Sequence, residues 1–367
     1  MKTEQFNYHL PPERIAQTPA TPRDASRLLA YNRKTKQISH HRFADIGQFL
    51  QAGDILVANN SRVLAARLFG RKPTGGKAEL LLLEKTAPQR WKALVGGKKL
   101  REGSLIEVLD KLGEKSEFVA EITAVFPGPV REVQFNHPID DVLDSLGHLP
   151  LPPYIQETLD EEERYQTVYS RPLGSAAAPT AGLHFTGDLL FSLREKGVLF
   201  ETVTLHVGLD TFKPVTAESV FEHQIHSEWA SLSPAAAQRI NEAKLAGGRL
   251  IAVGTTAVRT LETAALRSAG IMGSLQTISQ RDASGETSDF CPWKPVAAFS
   301  GPTDLYIHPG YNFRAVDAMI TNFHLPQSSL LMLVGAFMGR EEMLGVYKTA
   351  VSEKYRFYSF GDAMLIQ

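Results

Sequence analysis

The 367-residue chain reads as an α/β protein, a discontinuous mixed-sheet α/β domain carrying an inserted small β-barrel-like domain. Three observations lead there. After Gln166, apolar strand-like runs alternate with capped helices, as in a sheet covered by helices. From about Val63 to His148 the texture changes to short β-like runs between Gly, Pro and Lys turns, as in a barrel or sandwich. The length also exceeds what one core ordinarily serves, so two domains are expected. The α/β domain takes 1–62 and 149–367, and the insert takes 63–148.

Each element has a local reason. Leu10, Pro11 and Pro12, then Pro19 and Pro22, forbid an early helix. Segments 26–31 and 53–59 read as strands, with a turn at 32–36. In the insert, 78–84, 91–95, 104–108, 118–125 and 130–135 are the β-like runs, closed by the proline-rich stretch 150–153. Thr186 caps a helix to Lys196, Gly197 ends it, and 198–207 is a strand. Ser233 and Pro234 start another helix by the N-cap and first-turn proline rule. Gly247 and Gly248 stop it, 250–253 is a buried strand, and Thr255 or Thr256 starts the next helix. A further strand is expected at 305–308.

Composition bounds function. Apolar content of 43% and charged content of 22% are ordinary for a soluble enzyme. A formal net charge of -1 argues against a protein that binds nucleic acid by bulk positive charge. It leaves room for a local basic face that grips a folded RNA. Cys291 is the only cysteine, so neither an intrachain disulfide nor a cysteine-rich metal site is expected. The first residues lack an apolar signal region, and the longest apolar run, 330–338, is far below the ~20 residues that span a bilayer. A reducing, cytoplasmic setting away from membranes is the expectation.

The most informative stretch is 317–330. Met319, Ile320 and Thr321 read as a buried strand end that delivers Asn322 and His324 onto a turn closed by Pro326. Ser328 or Ser329 then caps an apolar helix. Side chains between a core strand and a helix commonly line ligand sites in α/β proteins, so Asn322 is read as substrate-binding and His324 as catalytic. Gly254, Thr255 and Thr256 occupy a strand-to-helix turn where free N–H groups favour an anion, and Arg259 follows one turn later. His206 ends a strand, and His223, His226 and Glu228 form His-x-x-His-Ser-Glu. No third metal ligand is indicated, so acid–base work by His206, His226 and Glu228 is expected rather than a metal site. Segment 177–185 is small and nearly uncharged around Thr180 and His184, and would let backbone approach a flat ligand. Basic residues collect in the insert at Arg67, Arg71, Lys72 and Lys77, and at Lys98, Lys99 and Arg101. The glycine-rich turns beside them would admit phosphates.

Six words in order, APTAGLHF, LHVG, HSE, VGTT with RTLE, HPGYNF and ITNFHLP, resemble the S-adenosylmethionine:tRNA ribosyltransferase-isomerase family of queuosine biosynthesis. The likeness runs from Leu10 to Ile366. It implies transfer of the ribosyl carbons of S-adenosylmethionine onto 7-aminomethyl-7-deazaguanine in a tRNA anticodon, giving epoxyqueuosine-tRNA, adenine and methionine. S-adenosylmethionine is then a co-substrate, with no permanently bound cofactor and no metal. The partner is the tRNA, gripped at Lys98, Lys99 and Arg101, and the chain is expected to act as a monomer. The chain departs from the family pattern at Asp210 (usually glycine), Gln327 (usually lysine), Ser329 (usually threonine) and the Asn60–Ser61 pair. These departures leave a diverged paralogue as the alternative, binding tRNA without this activity or using another purine-like acceptor.

Overall fold

The structure, a computed structural model, describes residues 1–208, 215–285 and 291–367. Asp210 lies outside the described residues. The chain forms two compact units: 1–62 with 153–172 and 178–367, and 63–152 with 173–177.

In chain order the first strands are β1 (Arg27–Tyr31), β2 (Ile38–Arg42) and β3 (Ile55–Asn59). The smaller unit contributes β4 (Arg67–Arg71), β5 (Lys77–Ala87), β6 (Arg90–Gly96), β7 (Leu105–Leu109), β8 (Lys115–Val125) and β9 (Val130–Phe135). Then come α1 (Gly187–Glu195), β10 (Leu199–Leu205), β11 (Glu228–Leu232), α2 (Pro234–Leu245), β12 (Leu250–Val253) and α3 (Thr255–Ser268). The chain closes with α4 (Ile278–Ala283), β13 (Phe299–Thr303), β14 (Ala318–Asn322), α5 (Ser329–Met338), α6 (Arg340–Ser352) and β15 (Ala363–Ile366).

The larger unit is built on one mixed sheet, ordered β13-β11-β10-β3-β12-β14-β15-β1-β2. Its centre, β10-β3-β12-β14, is parallel. Of these strands, β3, β12 and β14 are nearly continuous apolar runs because both faces are covered, and alternate side chains serve different cores. Ile55, Val57, Leu250, Ala252 and Met319 pack under α2, α3, α5 and α6. Their neighbours Leu56, Ala58, Ile251, Val253 and Ile320 pack on the other face with Phe43, Phe185 and Leu189. Caps fall where the hydroxyls stand: Thr186, Ser233 and Ser328 accept from the N–H groups of Leu189, Ala236 and Leu331. The strand expected at 305–308 is not one. The ladder partner of β11 is β13, whose Gly301 and Pro302 disguise a strand.

The smaller unit is a closed antiparallel barrel, β9-β6-β5-β4-β7-β8 with β8 pairing back to β9. Leu68, Leu80, Trp91, Ile106, Phe118, Ile122 and Val133 alternate into its interior. It has six strands, where the sequence suggested five runs. The additional one is β4, whose terminal arginines had marked it as a charged surface.

Two of the family-like words meet in the larger unit. Glu262 on α3 is fully buried and accepts from the Tyr311 hydroxyl at 2.9 Å and from the N–H groups of Arg314, Ala315 and Val316 at 2.9, 3.0 and 3.0 Å. RTLE therefore anchors the loop that HPGYNF opens. Glu262→Leu would strand these donors, each costing ~1–3 kcal/mol when buried without an acceptor. The variant is expected to lose at least ~3 kcal/mol, read as a lower melting temperature in thermal unfolding. A wild-type melting temperature would refute the anchor.

Candidate functional site

At the β11 side of the sheet, Glu228 begins β11 and Arg259 stands one turn into α3, and the two form a buried ion pair. The other carboxylate oxygen of Glu228 accepts from Gly208 N–H at 2.8 Å. Arg259 Nε donates to the Leu305 carbonyl at 3.2 Å, and its Nη2 is buried with no acceptor. The strand end holding Gly208 is set from the next strand. Asn59, fully buried at the end of β3, donates to Leu205 O at 2.9 Å and accepts from Leu205 N–H at 3.0 Å. Its side chain thus continues the sheet where the backbone ladder stops.

A cavity of about 670 Å³ opens beside this pair, lined by His223, His226, Glu228, Arg259, Tyr306 and Ser329, among others. His226 is exposed and His223 half-buried. The Tyr306 hydroxyl donates to the Met332 sulfur at 2.9 Å, which fixes its ring. Of the expected site residues, the structure brings His226, Glu228 and Arg259 to this one volume. His206 is close in sequence to Gly208 but is absent from the described lining. Its ring stacks on Trp229 with centroids 5.4 Å apart at 21°, burial lowers its pKa, and its Nδ1 is buried without a partner.

Three other expected residues, Asn322, Thr180 and His184, form a different cluster. Asn322 at the end of β14 donates to the Tyr358 carbonyl at 3.1 Å and accepts from the Thr180 hydroxyl at 3.0 Å. Its amide lies 3.2 Å from His184 Nε2, while Ser26 Oγ meets His184 Nδ1 at 2.8 Å. His184 also stacks on Phe43. The small residues of 178–185 accommodate neighbouring protein: a side chain at Gly182 would collide with the Tyr169 hydroxyl. Gly254, at φ +89°, donates to Ile320 O at 2.7 Å and faces Ala181, so Thr255 and Thr256 open α3 against that same segment. His324 Nε2 lies 2.8 Å from Thr321 Oγ1, and its backbone N–H donates to the Tyr347 hydroxyl at 3.1 Å. Gln327 sits in the left-handed region at φ 56°.

In the barrel, Lys98, Lys99 and Arg101 are exposed on the β6–β7 turn, and no ion pair is found for them among the described residues. Lys72 Nζ donates to the Lys98 carbonyl at 2.9 Å, so the 72–76 turn abuts theirs. Arg71 and Lys77, paired across β4 and β5, add to one basic barrel end.

Tyr306 and Ser329 were not read from sequence as lining one site. Tyr306 lay inside an expected strand, and nothing in the spacing joined segment 305–308 to Arg259. Among the described residues, no three His, Cys, Asp or Glu side chains are grouped to hold a metal, and no helix is long and apolar enough to cross a membrane.

Two histidines, a tyrosine and a buried ion pair line one cavity, an arrangement that can support acid–base chemistry on a polar small molecule. Residues 3–366 match the family model described as queuosine biosynthesis protein, and the chain belongs to that family. It is 48% identical to the S-adenosylmethionine:tRNA ribosyltransferase-isomerase of Desulfitobacterium hafniense and 47% to that of Moorella thermoacetica, with 100% of both chains covered in each case. The crystal structure of the S-adenosylmethionine tRNA ribosyltransferase of Thermotoga maritima is 34% identical and aligns with a TM-score of 0.52 over 99% of this chain and 100% of that one.

His184 and His324 make an acid-side prediction. Burial, then Arg356 and Arg23, pushes the pKa of His184 down to about 3, and burial alone does the same to His324. An unfolded imidazole titrates near ~6.5. The unfolded chain therefore takes up protons first, and the stability these groups contribute is complete above ~6.5 and lost as pH falls toward 3. Melting temperature is expected to fall on acidification, and less steeply in His324→Gln. Parallel wild-type and variant curves would contradict this.

Proposed function

We propose that this chain transfers and isomerises the ribosyl group of S-adenosylmethionine onto 7-aminomethyl-7-deazaguanine in a tRNA anticodon, yielding epoxyqueuosine-tRNA, adenine and methionine. The observation that carries the reading is near-half identity, end to end, with relatives named for this reaction. Those relatives do not favour the diverged-paralogue alternative. A cytoplasmic setting accords with a tRNA substrate.

The chemistry needs acid–base groups and exclusion of water. The sulfonium acidifies the adjacent 5′ carbon, so one base forms an ylide there. Ring opening expels adenine, which takes up a proton. The aminomethyl group attacks, the ylide closes a carbocycle onto the freed aldehyde, and the alkoxide displaces methionine to leave an epoxide.

In this reading the cavity beside Glu228 and Arg259 receives S-adenosylmethionine. Arg259 Nη2, buried without an acceptor, suits the carboxylate of its methionine part. Glu228, with both oxygens engaged, fixes that guanidinium, while His226 on the cavity wall serves proton transfer. A role for His206 in proton transfer rests on its unpartnered Nδ1. His324, Asn322, His184 and Thr180 support the strand end and the turn after it. Thr255 and Thr256 offer backbone N–H groups at the start of α3 to an anionic group of either substrate. Catalysis is thereby assigned to the α/β domain and tRNA grip to the barrel.

The test is adenine release on mixing the protein with S-adenosylmethionine and tRNA carrying the modified base. Turnover is expected, and Arg259→Ala should weaken S-adenosylmethionine binding at least ~10-fold through loss of a charge-assisted contact. No adenine release from the wild type would sink the reading. For the barrel, neutralising Lys98, Lys99 and Arg101 together should weaken tRNA binding and flatten its salt dependence by ~0.7 in log–log slope per lost phosphate contact. S-adenosylmethionine binding should not change. An unaltered slope would remove these residues from the interface.

A further inference from the structure

We propose that His223 is a further catalytic residue of this site, its imidazole taking the proton from the carbon beside the sulfonium, an assignment that rests on the function proposed above. His223 lines the same cavity as His226, Glu228 and Arg259. No hydrogen bond to its ring is found among the described residues, so its nitrogens are open to a substrate. The ring is nevertheless held in place. It meets the Tyr306 ring edge-on, with centroids 5.3 Å apart at 72°. The chain around it is pinned on both sides, with Gln276 Nε2 donating to Ile225 O at 2.9 Å and Gln280 Nε2 to Phe221 O at 3.4 Å. A base fixed by packing with its lone pair unspent is what carbon deprotonation requires.

The reaction needs two proton transfers of opposite sense. In the first, the 5′ C–H bond breaks, its electron pair stays on carbon as the ylide, and the proton passes to a ring nitrogen of His223. In the second, the C–N bond to adenine breaks with its pair on nitrogen, and adenine takes up a proton, for which His226 is placed. One histidine gains a proton and the other gives one, so the steps balance.

The surroundings separate the two roles. His223 is half-buried against Tyr306, while His226 is exposed. The titratable and charged groups around His223 are His226 on its own segment, the Glu228–Arg259 pair of the cavity wall, Tyr306, and His308 packed edge-on to Tyr306 at 5.0 Å. Burial and then the charge of His226 hold the His223 pKa below the ordinary imidazole value, which keeps its lone pair free at neutral pH.

The experiment follows adenine release against pH, with exchange of the 5′ hydrogens of S-adenosylmethionine into deuterated water, in wild type, His223→Gln and His226→Gln. Wild type is expected to lose kcat/KM as pH falls through a value below ~6.5, where the base becomes protonated. His223→Gln should lower kcat by ~10²–10⁴, abolish the 5′ exchange and remove that low-pH limb, with S-adenosylmethionine affinity and melting temperature unchanged. His226→Gln should be slower but keep the limb, moved to higher pH by loss of the like charge. Wild-type exchange and an intact limb in His223→Gln would overturn the assignment while leaving the overall function standing. A wild type that releases no adenine would overturn the function and the assignment together.

Discussion

The ion pair between Glu228 and Arg259 is the contact on which this site depends. Both side chains are about 7% exposed, so each charge has been taken out of water and needs the other. The pair joins four pieces of chain: β11, α3, the strand end at Gly208 and the irregular segment at Leu305. A buried pair of this kind is no great source of net stability, whereas removing one partner typically costs ~3–5 kcal/mol because a charge is left uncompensated. Its value lies in geometry. Two of the three guanidinium nitrogens, Nε and Nη1, are held by protein groups, Nη2 is buried without an acceptor, and the residue lines the cavity.

Around that contact the scaffold is stiff for reasons that can be traced. α3 is buried along most of its length, and Glu262, one turn beyond Arg259, collects the loop 311–316. Arg314 of that loop is clamped in turn by both oxygens of Asp282 on α4, at 2.6 and 3.0 Å. The same short helix carries Gln280, which holds the chain next to His223. Buried polar groups that are satisfied on every side leave a segment few alternative positions. The cavity wall is thus set by hydrogen-bonded carboxylates behind it as well as by apolar packing.

Much of this architecture was legible in the chain. Strands such as 250–253 and helices opened by Thr186, Ser233 and Ser328 announce themselves because hydroxyl caps and glycine stops are local signals. β4 was hidden by the arginines at its ends, and β13 by Gly301 and Pro302, while 305–308 imitated a strand. That segment is apolar because it is buried, and its carbonyls at Leu305 and Tyr306 accept from Arg259 and Ser279. The site was legible in part. ITNFHLP stood out, yet Asn322 turns inward to His184, Thr180 and Tyr358, bonds that no spacing reveals. Likewise Glu228 and Arg259 were singled out separately, and only the fold, which sets α3 against β11, makes them a pair.

The central claim is that the cavity beside this pair is where S-adenosylmethionine reacts. The most direct measurement is a crystal structure of the protein with S-adenosylmethionine, or a stable sulfonium analogue, bound. The account predicts ligand density inside the cavity, with an anionic oxygen within hydrogen-bond distance of Arg259 Nη2 and the 5′ carbon facing His223. Well-defined ligand density elsewhere, with the cavity beside Glu228 and Arg259 empty, would contradict it.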